Sequence, residues 1–230
     1  PRARRLARDR SAARVTAPRT SDEARLATPL AAVLRAEFRL GERGRTVIGV
    51  AGESGSGKST TATALARALD AHGLRSVVLS QDDYFHRPPR ANHEYRMLDL
   101  AHVGPHEVDL ARIGRHIAAF RAGHDGVDVP AVEYAADTFG TRVVDFGTAH
   151  VLIVEGTYVL TMPDLDVRVF LEATYADTRA RRVARARDVD SPFVERVLAI
   201  EHEIITRQAA VADVVIDPDF AVRPRNRTRT

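Results

Sequence analysis

Short apolar runs alternate with helix-forming segments along most of the chain. The apolar runs predict buried β-strands, and they lie at 46–51, 76–80, 149–155, 167–172 and 214–216. Segments of helical character lie before and between them, at 22–40, 59–72, 109–122, 174–188 and 193–211. Strands that alternate with helices favour a parallel sheet with helices on both faces. We therefore predict an α/β fold of three layers around a mainly parallel five-stranded sheet.

Two regions interrupt this alternation. Short strands at 127–134 and 142–146 predict a hairpin insertion around a turn at 137–141. Residues 81–108 are polar, contain proline and histidine, and follow no clear period, so neither a helix nor a strand is predicted there.

The two ends of the chain differ in charge from its body. The net charge is +3, but residues 1–20 carry +6 and residues 221–230 carry +4, so the body is acidic at −7. An acidic body argues against a nucleic-acid partner, which would need a basic face on the fold itself. We predict a disordered basic tail at 1–21, a folded domain at 22–218 that begins with the helix 22–40, and a basic C-terminal tail at 219–230. Pro29 suits the first turn of that helix.

Composition narrows the class of protein. A chain of 230 residues with 44% hydrophobic and 28% charged residues fits one globular domain. No apolar run approaches the roughly 18 residues that span a membrane, and the absence of cysteine excludes a disulfide framework or a thiolate metal site. These features predict a cytoplasmic enzyme without a membrane partner, and they leave a homo-oligomer open.

The chain contains a single lysine, Lys58, among 34 lysine and arginine residues. It lies in GESGSGKST, between an apolar strand and a helix, with the G-x-x-x-x-G-K-S spacing of a P-loop. The backbone N–H groups of such a loop and the positive end of the following helix bind a β-phosphate. We therefore predict a P-loop NTPase fold that binds ATP. The predicted nucleotide-binding residues are Gly52, Ser54, Gly55, Ser56, Gly57, Lys58, Ser59 and Thr60.

Several classes of enzyme use this loop. Lys58 is expected to reach the β- and γ-phosphate oxygens, and Ser59 is expected to bind Mg²⁺. A GTPase would need a second lysine in its N-K-x-D guanine-binding sequence, and this chain has none. ATPases of the AAA and helicase types end the corresponding strand with two acidic residues, whereas here Glu155 stands alone before Gly156. The pattern favours a kinase with Glu155 near the metal ion. We also expect the Lys58 ammonium to have no packing partner without a triphosphate.

Acidic residues follow the second predicted strand, which continues as SQDDYF. Because ligands bind at the carboxyl ends of the strands in such sheets, Asp82 is expected near the γ-phosphate. A carboxylate there can orient or deprotonate an acceptor hydroxyl and contact the metal ion. For Asp83 the ordinary capping role of a loop carboxylate is favoured.

These segments resemble the uridine kinase group of P-loop kinases, which is related to phosphoribulokinase and bacterial pantothenate kinase. The shared patterns are the loop GESGSGKST, the strand VVLSQDDYF, the strand end IVEG, the arginine-rich DTRARR and, near the end, ADVVI. They cover about residues 44–218 in the same order. The resemblance implies a phosphotransferase with an alcohol group as acceptor, ATP as donor, Mg²⁺ and a small arginine-rich lid.

The resemblance also assigns roles to residues. Asp82 matches the group's base, Glu155 matches its acid beside the metal ion, and the lid arginines match Arg179, Arg181, Arg182, Arg185 and Arg187. The predicted catalytic residues are Lys58, Asp82, Arg182 and Arg185, and the predicted metal ligands are Ser59, Asp82 and Glu155. The predicted substrate contacts are Asp82, Tyr84, Asp99, Tyr134 and Arg179.

The chain departs from this group where the acceptor would bind. The Asp-His-Pro element is not intact, Val132 replaces the aromatic residue that packs on the base, and Phe85 replaces the terminal tyrosine of S-Q-D-S-F-Y. The pocket should therefore bind something other than, or smaller than, a pyrimidine nucleoside, or bind such a nucleoside differently, and sugars, polyols and pantetheine-like alcohols stay open. We predict an ATP-dependent kinase with a small-molecule hydroxyl acceptor. The alternative is an ATP-binding regulator or switch without an acceptor, which would need no cavity beside Asp82.

Overall fold

The protein folds around one central sheet. The computed structural model describes residues 21–42, 44–179 and 191–225. In this sheet β1 (Thr46–Gly52) pairs in parallel with β5 (Val151–Gly156) on one side and with β6 (Val167–Leu171) on the other. Every residue of β1 and β5 is buried, because both strands are covered on both faces. Their continuous apolar sequences follow directly from that position.

The order of the sheet is β2-β5-β1-β6-β7-β8. The outer strands are β2 (Ser76–Ser80), β7 (Val214–Ile216) and β8 (Val222–Pro224). The five strands from β2 to β7 are parallel, as predicted. β8 adds a sixth strand, antiparallel to β7, within the segment that the sequence assigned to the C-terminal tail.

Helices cover both faces of the sheet and complete the three layers. One face packs against α1 (Ser21–Phe38) and α2 (Lys58–Asp70), whose leucines share a core with Ile48. The other face packs against α4 (Leu110–Ala122) and α5 (Pro192–Ile205), which share a core with Val47. None of the helices in the described part of the chain is long and apolar enough to cross a membrane.

The ends of two helices differ from the prediction. Pro29 lies inside α1 rather than in its first turn. The helix extends further because Leu26, on the N-terminal side of Pro29, is buried in the same core as Leu30 and Leu34, and this packing outweighs the lost backbone hydrogen bond. α5 ends at Ile205 and continues as a 3₁₀ turn to Val211. The predicted lid helix 174–188 is described only as far as residue 179.

The segment 81–108, which the sequence left without structure, contains the helix α3 (Pro89–Leu98). Its sequence gives no helical signal because only Asn92 is buried in it, so it carries no apolar stripe. Short 3₁₀ turns precede and follow it, at Gln81–Tyr84, Leu100–His102 and Pro105–Glu107. We call residues 81–108 the acceptor segment.

The predicted hairpin is present as β3 (Val127–Glu133) and β4 (Thr138–Val144). Its turn lies at 134–137, a few residues before the predicted position. The hairpin forms a separate two-stranded sheet, and its position beside the acceptor segment is fixed by contacts described below.

Candidate active site

The phosphate loop joins the carboxyl end of β1 to the first turn of α2. Gly57 precedes α2 with φ of 101°, a left-handed conformation that glycine adopts readily. At Gly52 a Cβ would lie 2.8 Å from Ser56 Oγ, so the loop can close only around glycine there. α2 begins without a side-chain cap and without an acidic residue in its first turn. Its first N–H groups and its positive dipole end are thus available to an anion.

Ser56 gives a further indication of a ligand in this loop. Its hydroxyl is buried and finds no hydrogen-bond partner among the described residues. Buried hydroxyl groups are normally paired, so an unpaired one is expected where a ligand or water completes the site. The loop therefore fits the triphosphate that its sequence predicts.

Lys58 lies at the start of α2, inside this loop. Its Nζ donates a hydrogen bond to the Glu53 carbonyl oxygen at 2.8 Å. The expectation that the ammonium has no partner of its own was wrong, because the loop folds back far enough to bring a carbonyl to it. The hydrogen bond holds the side chain over the loop, where phosphate oxygens would compete for the same donor.

Glu155 is brought to Ser59 and Ser80 by the pairing of β5 with its neighbours. Ser80 is the register partner of Glu155 across β2 and β5. The Ser80 hydroxyl donates to Glu155 Oε1 at 2.5 Å, and the Ser59 hydroxyl donates to the same oxygen at 3.1 Å. Burial raises the pKa of Glu155, and the negative charge of Asp82 raises it further, while Lys58 and the two hydroxyl groups lower it. Ser80 was not predicted, although the strand register could have indicated it.

These oxygen atoms fit a magnesium ion. Mg²⁺ prefers hard oxygen ligands and commonly takes only one or two carboxylates together with waters and substrate phosphates. The Ser59 hydroxyl and the Glu155 and Asp82 carboxylates are such ligands, and the Asp82 charge acts directly on Glu155. In the described ranges no set of three or more histidine and acidic side chains could bind a metal ion by itself. A metal ion here would depend on the phosphates of a nucleotide.

Asp82 lies in the 3₁₀ turn that follows β2, at the same edge of the sheet. The Tyr134 hydroxyl at the tip of the hairpin donates to Asp82 Oδ2 at 3.2 Å. The next residue, Asp83, accepts a hydrogen bond from Val132 N at 2.8 Å. Asp83 therefore binds a backbone N–H group, as favoured from the sequence, and this group belongs to the hairpin. The two carboxylates together fix the hairpin against the turn, with Asp82 exposed and Tyr134 beside it. The structure thus brings together two of the predicted substrate contacts.

Tyr84 does not line this site, contrary to the prediction. Its side chain is 2% exposed, lies in the core with α4, and has its hydroxyl 2.7 Å from His116 Nδ1. The 3₁₀ turn directs Tyr84 inward while Asp82, two positions earlier, faces solvent. Burial raises the pKa of Tyr84 and lowers the pKa of His116, so the pair is neutral at pH 7.

Asp99 has a local role in the structure. Its Oδ1 accepts a hydrogen bond from Ala101 N at 2.8 Å and caps the 3₁₀ turn Leu100–His102. This is a common role for an aspartate at the start of a turn. The predicted contact of Asp99 with a substrate gains no support from this position.

A buried polar cluster, which the sequence did not reveal, joins the acceptor segment to α5. Arg96 on α3 donates to both carboxylate oxygens of Glu107, at 2.6 and 2.7 Å, and to Glu201 Oε1 at 3.0 Å. Asn92 donates to Glu107 at 3.0 Å. We call Asn92, Arg96, Glu107 and Glu201 the Arg96 cluster. It contains two carboxylates and one guanidinium group, and burial raises the pKa of Glu201 above its usual value.

The Arg96 cluster is connected to the phosphate loop and, through Tyr158, to the residue before Asp82. Burial raises the pKa of Glu201, and the positive charges of Arg96 and Lys58 oppose this rise, so the charge of Lys58 reaches the cluster. The Tyr158 hydroxyl lies in the field of Glu201 and Arg96. Tyr158 N in turn donates to Gln81 Oε1 at 2.8 Å, and Gln81 directly precedes Asp82. Asn92 Oδ1 is buried without a hydrogen-bond partner among the described residues, and the Tyr158 hydroxyl is buried next to Glu201. The acceptor side of the site is therefore polar and acidic.

The predicted lid is described only at its start. Arg179 is exposed, directly after a turn in which Asp177 accepts a hydrogen bond from Thr174 N at 2.8 Å. Arg182 and Arg185, with Arg181 and Arg187, lie outside the described residues. Their roles stay predictions.

Comparison with known proteins gives consistent matches. The profile of the Phosphoribulokinase / Uridine kinase family matches residues 47–218. The chain is 34% identical, over 77% of its length, to the bifunctional alpha-galactosidase/sucrose kinase AgaSK of Mediterraneibacter gnavus, but it spans only 20% of that relative. It is 30% identical to a uridine kinase of Staphylococcus haemolyticus strain JCSC1435, with 74% of the chain and 86% of that enzyme covered.

A solved structure adds to these matches. The structure of a candidate fructose transport system kinase from Silicibacter sp. TM1040 superposes with a TM-score of 0.58 and 28% identity. The match covers 80% of the chain and 94% of that structure. The similarity therefore extends over the P-loop, the acceptor segment and the strands that carry them.

Proposed function

The chain belongs to the Phosphoribulokinase / Uridine kinase family, and on that premise we propose that it transfers the γ-phosphate of ATP to a hydroxyl group of a sugar or polyol. It is a small-molecule kinase, a phosphotransferase with a hydroxyl acceptor, and kinases of this family use ATP. The convergence of Lys58, Glu155 and Asp82 at the carboxyl ends of β1, β5 and β2 carries the proposal.

The phosphate loop and Lys58 bind the donor. Backbone N–H groups of the loop and the first turn of α2 surround the β-phosphate, and the Lys58 ammonium exchanges the Glu53 carbonyl for β- and γ-phosphate oxygens. Ser59 and Glu155, with Asp82 nearby, would hold Mg²⁺, which neutralises charge on the phosphates. Lys58 stabilises the negative charge that moves onto the β-phosphate as the bond to the γ-phosphate breaks.

Asp82 binds the acceptor. Its exposed carboxylate can accept the hydrogen of the attacking hydroxyl and orient the oxygen in line with the γ-phosphate. Tyr134 donates to the other side of the same carboxylate, which fixes its direction. In this proposal the arginines that the sequence assigns to the lid stabilise the transferring group.

The polar character of the acceptor side supports a sugar or polyol as the phosphate acceptor. At position 132 the hairpin carries valine, where the related uridine kinases place an aromatic residue against the base, and the Val132 N–H is already bound to Asp83. The buried polar groups of the Arg96 cluster and the Tyr158 hydroxyl belong to the segments that would border the acceptor, and such groups are suited to support the recognition of hydroxyl groups. The relative named for sucrose, at 34% identity, and the structure named for fructose, at 28%, agree with a sugar acceptor, and the uridine kinase at 30% lies between them.

A panel of acceptors tests the proposal. The purified chain is incubated with ATP and Mg²⁺ and one of fructose, glucose, sucrose, glycerate, pantothenate, uridine or cytidine, and ADP release is followed by a coupled assay. Each active compound is checked by ³¹P NMR for a new phosphate ester. We expect one or more sugars to be phosphorylated with a kcat/KM at least about tenfold above that of any nucleoside, a difference of about 1.4 kcal/mol in transition-state binding.

The outcomes separate the parts of the proposal. If uridine or cytidine is the best acceptor, the sugar assignment is wrong and the kinase assignment stands. If ATP is hydrolysed at the same rate with every compound and no phosphate ester forms, the chain acts as an ATP-binding switch, and the proposed transfer fails.

A further inference from the structure

Glu53 is an acidic residue inside a loop that binds anions. It is the first residue after Gly52, and its side chain is nearly fully buried, with 3% of the residue exposed. A buried carboxylate beside a triphosphate site opposes the binding of phosphate by electrostatic repulsion. We therefore expect the Glu53 carboxylate to have a role whose benefit exceeds this electrostatic cost.

Both oxygens of the Glu53 carboxylate are bound by elements outside the loop. Tyr175 N, in the turn after β6, donates to Oε2 at 2.6 Å, and His202 on α5 lies with its Nδ1 2.7 Å from Oε1. An ionised carboxylate can only accept hydrogen bonds, so this contact requires the tautomer of His202 that carries its proton on Nδ1. The Tyr175 ring also meets the His202 ring edge-on, with centroids 5.6 Å apart.

The main chain of the loop strengthens the same junction. The Thr178 hydroxyl donates to the Ser54 carbonyl oxygen at 2.9 Å, and Lys58 donates to the carbonyl oxygen of Glu53 itself. One residue thus contacts the catalytic lysine through its main chain and two further elements through its side chain. Those elements, the turn at 174–179 and α5, are the described parts of the chain on either side of residues 180–190.

We propose that Glu53 is a positioning residue for phosphoryl transfer, which holds the turn at 174–179 and α5 at a fixed distance from Lys58. It acts through Tyr175 and His202, and it contacts no phosphate. The inference rests on the proposed kinase function but not on the identity of the acceptor. It predicts that the carboxylate matters for the rate of transfer and matters little for the binding of ATP.

Three variants test the inference in steady-state kinetics with the best acceptor. In Glu53→Ala both side-chain contacts are lost, and we expect kcat to fall about 10- to 100-fold while the KM for ATP changes less than about threefold. In Glu53→Gln the amide oxygen can still accept from Tyr175 N, and the amide nitrogen can donate to the other tautomer of His202. We expect Gln to restore kcat to within about threefold of the wild type.

Asp213→Ala is the matched control. Asp213 is also a buried carboxylate, 7% exposed, and accepts from a main-chain N–H, that of Arg168 at 2.8 Å, but it lies at the amino end of β7, away from the phosphate loop. Its loss should lower the melting temperature and leave kcat per folded molecule unchanged. If Glu53→Ala behaves like this control, Glu53 only anchors the fold. If Glu53→Ala changes the KM for ATP more than kcat, Glu53 acts on nucleotide binding. Either result overturns the inference.

Hydrogen exchange gives a readout that does not need turnover. Exchange at the Tyr175 amide in the ATP-bound protein should accelerate at least about tenfold in Glu53→Ala and stay near the wild-type rate in Glu53→Gln.

If Glu53→Ala fails to fold, His202→Gln, which leaves the loop unchanged, replaces it and should lower kcat by more than about threefold. If the wild type transfers phosphate to no acceptor, the proposed function fails. The exchange rate at the Tyr175 amide then tests the role of Glu53 by itself, and an unchanged rate in Glu53→Ala overturns that role.

Discussion

The phosphate side and the acceptor side of the site are built in different ways. The phosphate side is one continuous loop, 52–60, and its ligands are mainly backbone N–H groups that any sequence with the right glycines can present. The proposed acceptor side is assembled from the acceptor segment, the hairpin and α5, which are joined by hydrogen bonds of side chains such as Asp82, Arg96 and Glu201. Backbone recognition suits a donor common to many enzymes, whereas side chains from separate segments can change one at a time and alter which acceptor binds.

The largest effect is expected on the phosphate side, from Lys58→Ala. Transfer should fall about 1,000-fold, because a charge that stabilises the transition state is lost. Lys58→Arg should be nearly as slow, since a planar guanidinium cannot replace a compact ammonium among phosphate oxygens. The free energy of unfolding should fall by no more than about 1 kcal/mol, the usual value of one hydrogen bond such as that to Glu53. Kinetics and urea unfolding measure both, and full activity of Lys58→Arg would contradict the assignment.

A smaller effect, about 100-fold in kcat, is expected on the acceptor side from Asp82→Asn. The amide cannot take the hydrogen of the acceptor hydroxyl, while the dissociation constant for ATP, measured with a fluorescent analogue, should stay nearly constant. Asp83→Asn is the control, because an amide oxygen can still accept from Val132 N. Wild-type transfer in Asp82→Asn, or an equal loss in both variants, would show that Asp82 has no special role.

Arg96→Met tests whether the Arg96 cluster supports the acceptor side alone, and it should also lower stability. Removal of the guanidinium leaves Glu107 and Glu201 without their cation, and we expect a loss of about 2 kcal/mol, below the usual range for a fully buried pair because Arg96 keeps 15% side-chain exposure. The KM for the acceptor should rise while the KM for ATP stays the same. Arg121→Met removes an exposed pair with Asp166 and should cost less than about 0.5 kcal/mol. A rise of both KM values in Arg96→Met would mean that the cluster supports the whole site.

The smallest effect is expected from Tyr84→Phe. The variant removes the hydroxyl beside His116 and should cost about 1 kcal/mol of stability, with no change in the KM for the acceptor. Thermal unfolding and acceptor titration measure the two quantities. A clear rise in the KM for the acceptor would show that Tyr84 contacts the substrate, as the sequence predicted.

Much of the fold and of the phosphate side could be predicted from the sequence, because both depend on neighbouring residues. The strands are continuous apolar runs, and the loop is a single stretch of nine residues at 52–60. The acceptor side could not be predicted in the same way. Arg96 meets Glu201 across 105 positions of sequence, and a partner at that distance leaves no local pattern. Tyr84 was misplaced because the direction of a side chain in a 3₁₀ turn depends on packing against α4.

Two other elements were missed for different physical reasons. α3 buries one side chain and has no hydrophobic period. β8 is three residues long and contains a charged residue, so its sequence resembles that of a tail. It becomes a strand only through its hydrogen bonds to β7. In both cases the structure comes from tertiary contacts rather than from local propensity.

β8 also determines how the sheet ends. It pairs with the apolar strand β7, and it is itself a strand of only three residues that contains the charged Arg223 and Pro224, which has no N–H group. Such an edge resists pairing with a strand of another molecule. A chain that stopped at residue 218 would keep every residue of the candidate site but expose β7, with the sequence VVI, as an open edge. We therefore expect β8 to protect this edge of the sheet, and its loss should appear first as self-association at high concentration rather than as lost activity.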